Sequence, residues 1–115
     1  MNTPTQIDPA THYAAQLFLQ KIAKQFSIAG AFLFGSRARR THRPESDADI
    51  AVLLNGEHAR FLPTKLAMAD TAFEVLLETG IRIQPLPVWL DEWQDPEHYS
   101  NPQLLANIAK EGIAL

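Results

Sequence analysis

The chain has 115 residues, 46% of them apolar, a formal net charge of −3 and no cysteine. That length and apolar content suit one compact domain over residues 1–115. The lack of cysteine excludes disulfides and thiolate metal sites and fits a cytoplasmic location, and the acidic balance argues against a stable grip on nucleic-acid backbones.

No apolar run approaches the roughly 18 residues of a membrane span. The start, MNTPTQIDPATH, lacks the basic and apolar segments of a secretory signal. Residues 1 to 7 read as a flexible tail. Asp8 followed by Pro9 starts a helix, with a capping side chain and then a proline at the first helical position. Ala15, Phe18, Leu19, Ile22 and Phe26 recur at helical spacing as its buried stripe, and Ser27 to Gly30 breaks it. Residues 28 to 34 are a short apolar run ending at Gly35, the pattern of a strand covered on both faces. A brief helical turn follows Ser36. Thr41 to Glu45, with Pro44, is a loop, and Asp47 to Leu54 is a second strand closed by Asn55-Gly56.

Pro63 opens a long helix whose inner face reads as Leu66, Ala69, Phe73 and Leu76, with Gly80 as its stop. Asp70, Glu74 and Glu78 follow on another, solvated face. Residues 81 to 89 form a third strand. Pro85 and Pro87 cannot donate to a ladder, so that half lies at an edge or leaves the sheet. Asn101-Pro102 caps a last helix with Leu104, Leu105 and Ile108 inside; Gly112 ends it, and residues 113 to 115 trail off. The order helix, strand, strand, helix, strand, helix predicts an α+β fold, a small mixed β-sheet with helices packed on it.

The residues suited to chemistry fall within residues 31 to 54, AFLFGSRARRTHRPESDADIAVLL. In a strand, Asp47 and Asp49 point to the same face with Cα atoms roughly 6.5–7 Å apart, while Ile50, Val52 and Leu54 point into the core. Two carboxylates in a partly buried place repel, and a hard divalent cation relieves this; Mg²⁺ takes one or two carboxylates plus substrate phosphates. Gly35 lets the backbone approach a ligand closely, and the N–H groups after it, with the Ser36 hydroxyl, suit phosphate oxygens. Arg37 and Arg39 add guanidinium charge. Either half alone also reads as ordinary surface, an acidic pair facing water or a plain turn. Gly30 and Gly35 have the spacing of a phosphate-binding P-loop, but Ser36-Arg37 stands where Lys-Ser/Thr belongs, which excludes one.

Together, Gly35-Ser36, ten intervening residues, Asp47-Ala48-Asp49 and an apolar strand resemble the nucleotidyltransferase superfamily that includes DNA polymerase beta and kanamycin nucleotidyltransferase. At this length the chain is most similar to the minimal nucleotidyltransferases, antitoxins of the MntA type paired with HEPN-domain ribonuclease toxins. The resemblance implies a polymerase beta-like fold. It implies that Gly35, Ser36, Arg37 and Arg39 bind the nucleotide, ATP, and that Asp47 and Asp49 are catalytic and bind Mg²⁺. AMP would pass to a tyrosine of the partner HEPN toxin and silence it. Relatives usually add a third carboxylate from a neighbouring strand, where this chain has Arg82 and Gln84. Two aspartates then suffice, or an acid such as Glu74 or Glu78 reaches in, or activity is weak or lost and the chain neutralises its partner by binding alone. Transfer to a small molecule is a further alternative, although no second domain is visible to enclose such a substrate.

His12, His42, His58 and His98 show no metal-ligand spacing; His42, between the two motif halves, is the one placed to matter. Trp89 and Trp93 read as core or edge packing, or as an anchor for a partner protein.

Overall fold

The computed structural model describes residues 7–56 and 60–115; His58 and residues 1 to 6 of the expected tail lie outside the described residues. Ile7, the last residue of that expected tail, is buried in the core. Helix α1 spans Pro9–Ile22. The Asp8 carboxylate accepts from the Thr11 N–H at 3.1 Å, which satisfies a first-turn donor. Ala14, Ala15, Phe18 and Ile22 form the buried stripe. The helix stops at Ile22, ahead of the expected break, and Gly30 belongs to the next strand, where the register shifts between Ile28 and Gly30.

Strand β1 is Ile28–Phe34, α2 is the single turn Ser36–Arg39, and β2 is Ala48–Leu54. Helix α3 runs Phe61–Thr79. Pro63 sits inside its first turn, where backbone N–H groups have no intrahelical partner and a proline costs little. Gly80 closes α3 in the left-handed region at φ 79°, its N–H bonded to the Leu76 carbonyl at 2.8 Å. Strand β3 is Ile83–Trp89, followed by the short α4 (Leu90–Gln94), a 3₁₀ turn at Pro96–His98 and α5 at Pro102–Glu111. Asn101 caps α5, accepting from the Leu104 N–H at 3.2 Å.

The chain does not trail off after Gly112. Ile113–Ala114 form β4, which pairs antiparallel with β1. The sheet order is β3-β2-β1-β4, with β1–β2 and β1–β4 antiparallel and β2–β3 parallel. The expected small mixed sheet is thus realised with one more strand. The two strand prolines stand where a ladder can spare them. The Ala48 N–H bonds to the Arg82 carbonyl at 2.8 Å. Backbone direction alternates along a strand, so the nitrogens of Pro85 and Pro87 face the open edge.

Alternation also divides β2 between two cores. Ile50, Val52 and Leu54 join the cluster under α1 and α3, whereas Ala51 and Leu53 meet Leu105 and Ile108 of α5. Trp89 is buried in the first cluster. Trp93 stacks on Phe32, ring centroids 5.3 Å apart, in the second. Both tryptophans therefore pack. The inner face of α3 differs from the expected one: Met68, Thr71, Ala72 and Val75 are buried, while Leu66 and Phe73 are exposed. No helix among the described residues is long and apolar enough to cross a membrane.

Candidate active site

The two halves of the motif meet at one end of the sheet. Antiparallel pairing sets Phe34 beside Asp49, and parallel pairing sets Gln84 on the other side of Asp49. Gly35, directly after Phe34, turns the chain away from the sheet at φ 76°, ψ −157°, a conformation essentially reserved for glycine. A β-carbon at position 35 would collide with the Asp49 carboxylate. The residue is glycine for two reasons at once: the backbone angle and the acid against it.

Asp47 immediately precedes β2 and Asp49 is its second residue, both half-buried. Burial pushes the Asp49 carboxyl above its ordinary value of 3.8, and the negative charge of Asp47 pushes it further, with Arg39 opposing. A pair whose charges work against each other is the donor set a hard divalent cation suits. Among the described residues no group of three or more His, Asp or Glu side chains converges as a metal cage. Two carboxylates leave the remaining coordination positions to substrate oxygens, so the residues fit a divalent ion shared with a phosphate-bearing ligand.

Arg37 and Arg39, both expected at the nucleotide, are separated by the geometry of a single helical turn. Residues i and i+2 lie about 200° apart around a helix, so the two side chains leave α2 in opposite directions. Arg39 is exposed and pairs with Glu111 at 3.4 Å. It lines a cleft of about 160 Å³ with Phe34, Gly35, Asn107 and Glu111. Arg37 does not reach that cleft. It is 3% exposed, and its guanidinium donates to the Ser46 carbonyl at 2.9 Å, the Thr11 hydroxyl at 2.7 Å and the Pro44 carbonyl at 3.0 Å. Every edge of the fork is engaged inside the chain, which corrects the expectation that Arg37 binds nucleotide.

Arg37 belongs instead to a clamp between α1 and the loop before β2. The Thr11 hydroxyl donates to Asp8 at 2.7 Å, and His42 Nε2 lies 3.3 Å from the same carboxylate. Burial raises the Asp8 pKa, but the Thr11 hydrogen bonds, His42 and Arg37 outweigh it and leave that carboxyl below its ordinary value. His42 is thus held at Asp8, in the clamp.

Glu74 and Glu78 do not reach the aspartates. Both pair with Lys21 of α1, at 3.4 and 3.7 Å, and α1 and α3 cover the opposite face of the sheet from Asp49. Gln84 stands exposed beside Asp49, so no acid occupies that neighbouring position of β3. The acid that the fold does bring to the cleft is Glu111, with Asn107 one helical turn before it on α5. Sequence reading missed both. The available signal was Gly112: a β-carbon there would lie 3.2 Å from Phe32, so the end of α5 packs closely on β1.

The sequence profile of the family described as "Polymerase beta, Nucleotidyltransferase" matches residues 18–86, more than half of the chain. Among solved structures, a candidate nucleotidyltransferase from Sulfolobus solfataricus is similar at 17% identity and a TM-score of 0.46, over 78% of this chain and 83% of that one. No curated protein matches. The profile match spans β1, the Gly-Ser turn, both aspartates and the first half of β3.

Proposed function

The chain belongs to the polymerase beta nucleotidyltransferase family, and on that premise we propose that it transfers AMP from ATP, with Mg²⁺, to a tyrosine hydroxyl of a HEPN-domain toxin and so acts as its antitoxin. One observation carries the transferase part: Gly35 and the Asp49 carboxylate lie so close that no side chain fits between them. Phosphate oxygens received at Gly35 and Ser36 are thereby brought against the carboxylate pair. Asp47 and Asp49 would hold the metal, and Arg39 adds positive charge at the rim of the cleft. When bound, the metal supplies positive charge that stabilises the phosphate oxygens as the nucleophile approaches.

The protein's share is positioning and charge. The tyrosine oxygen bonds to the α-phosphorus. The bond from that phosphorus to the bridging oxygen breaks, pyrophosphate leaves with the electron pair, and the phenolic proton passes to solvent. The choice of acceptor rests on the resemblance to the minimal nucleotidyltransferases.

Gln84 favours a second reading. With a neutral amide beside Asp49 in place of a third acid, the chain inhibits its partner by contact alone. Incubation with ATP, Mg²⁺ and the product of the adjacent gene separates the two. Intact-mass analysis is expected to show AMP added to the partner, and none with Asp47→Asn/Asp49→Asn. Neutralisation that survives the double substitution, with no mass added, refutes transfer and leaves the second reading.

A further inference from the structure

Helix α3 has two apolar faces, and the domain uses one of them. Met68, Thr71, Ala72 and Val75 face the core. The other face carries Leu62, Leu66, Ala69, Phe73 and Leu76, at intervals of four, three, four and three residues, with Leu77 beside them. That repeat averages 3.5 residues and is the seam of paired helices. Leu62 is 60% exposed, Leu66 57%, Phe73 59% and Leu77 71%. Single exposed apolar side chains are ordinary, but here they form a strip about 22 Å long on one helix. Among the described residues nothing covers Leu62, Leu66, Phe73 or Leu77, whereas Leu76 is half-buried beside the start of β3.

The form of the occupant follows from the neighbouring edge. Pro85 and Pro87 remove the two central N–H donors from the outer side of β3, so an added strand finds only a broken ladder there. The seam repeat calls for a helix. The flanks of the seam identify which helix. Lys65 stands on one flank and Asp70 on the other, five residues apart.

When two copies lie parallel and in register, opposite flanks face each other. Lys65 of each copy then meets Asp70 of the other, so the pair forms twice. An antiparallel arrangement sets like flank on like flank. It places Asp70 against Asp70 of its own copy, Glu74 on that flank being already paired with Lys21, and leaves Lys65 facing a flank with no acid.

We infer that α3 pairs with α3 of a second copy of this chain, parallel and in register, forming a symmetric dimer. The inference is independent of the transfer reaction. It gives a place to the stripe that the sequence presents as an inner face: it is inner to the dimer. Lys65 also borders a groove of about 340 Å³ between α3 and the start of β3. The second copy closes that groove from the side.

The chain has no cysteine, so introduced thiols report pairing cleanly. Leu62→Cys and Leu76→Cys are each expected to form a disulfide-linked homodimer under mild oxidation. A cross-link found only in the mixture, between position 62 and position 76, overturns the parallel arrangement. Sedimentation of the unmodified chain from about 2 to 200 µM, the range expected for a small interface, should show its mass rising to twice the monomer value. A monomer at every concentration overturns the dimer. Phe73→Ser should abolish association with an unchanged circular-dichroism spectrum, because that ring is exposed in the single copy. Lys65→Glu and Asp70→Lys should each weaken association about fivefold or more. Mixing these two variants should restore it, and failure of the mixture to associate overturns the charge pairing.

Discussion

On one face of the sheet, Ile50, Val52 and Leu54 are covered by α1 and α3 and lie at or below 3% exposure. On the other face the alternate residues of the same strand run from Leu53 and Ala51, covered by α5, to Asp49, where the cover ends. The two faces arise from one local rule, the period of two along β2. They differ in how far the overlying helices reach. The same contrast is repeated in α2. Arg37 turns inward and ties α1 to the loop before β2, and Arg39 turns outward to the cleft. A sheet can therefore carry a charged site one residue from a closed core, provided the helix over that end stops short. The closed side should answer to substitution in stability, and the open side in chemistry.

The largest change in stability is expected from Arg37→Met. It leaves two carbonyls and the Thr11 hydroxyl without their donor in a closed place, a loss of about 3 kcal/mol in urea unfolding. Arg37→Lys should recover little of it, because an ammonium cannot span three acceptors arranged around a planar fork. Next is Gly35→Ala, which meets both the positive φ and the Asp49 carboxylate. It should cost about 2 kcal/mol and abolish transfer, linking the two sides at their point of contact.

Asp49→Asn should act in the opposite direction on stability. The folded-state pKa of Asp49 is raised, so ionising it costs more in the folded chain than in the unfolded one. Stability is lost as pH rises from 3.8 through the raised value. The amide escapes that loss and should stabilise the metal-free chain at neutral pH by on the order of 0.5 kcal/mol, because the site is partly solvated. The gain should disappear as pH falls toward the ordinary value of 3.8. A thermal melt series of both proteins between pH 4 and 8 checks the sign. The smallest stability change belongs to Arg39→Ala, which breaks an exposed ion pair and should stay within about 0.5 kcal/mol, while transfer falls about tenfold. If Arg39→Ala unfolds the chain, or Arg37→Met leaves it as stable as before, the division between the two sides fails.

Much of this was legible before any coordinates. The Asp8-Pro9 start, the Gly80 stop, the Asn101 cap and the edge position of the proline-bearing strand all follow from local chemistry that tertiary context did not override. So did the closeness of Gly35 to Asp49, because the ends of β1 and β2 bring them to one edge. Three things were not legible. The direction of Arg37 depends on a four-residue helix whose phase no periodicity sets. Strand β4 has only two residues, too few to show a period. In α3, both apolar faces satisfy helical spacing, and the bulkier residues, Leu66 and Phe73, lie on the uncovered one. Small residues such as Ala72 and Thr71 let the helix lie close to the sheet, so side-chain size pointed to the wrong face.

The most direct test of the open end as a nucleotide–metal site is a calorimetric titration of the chain with a non-hydrolysable ATP analogue, with and without Mg²⁺. Binding should require the metal, vanish in Asp47→Asn/Asp49→Asn and persist in Arg82→Ala. Equal binding by the double variant, or binding indifferent to the metal, would contradict the site.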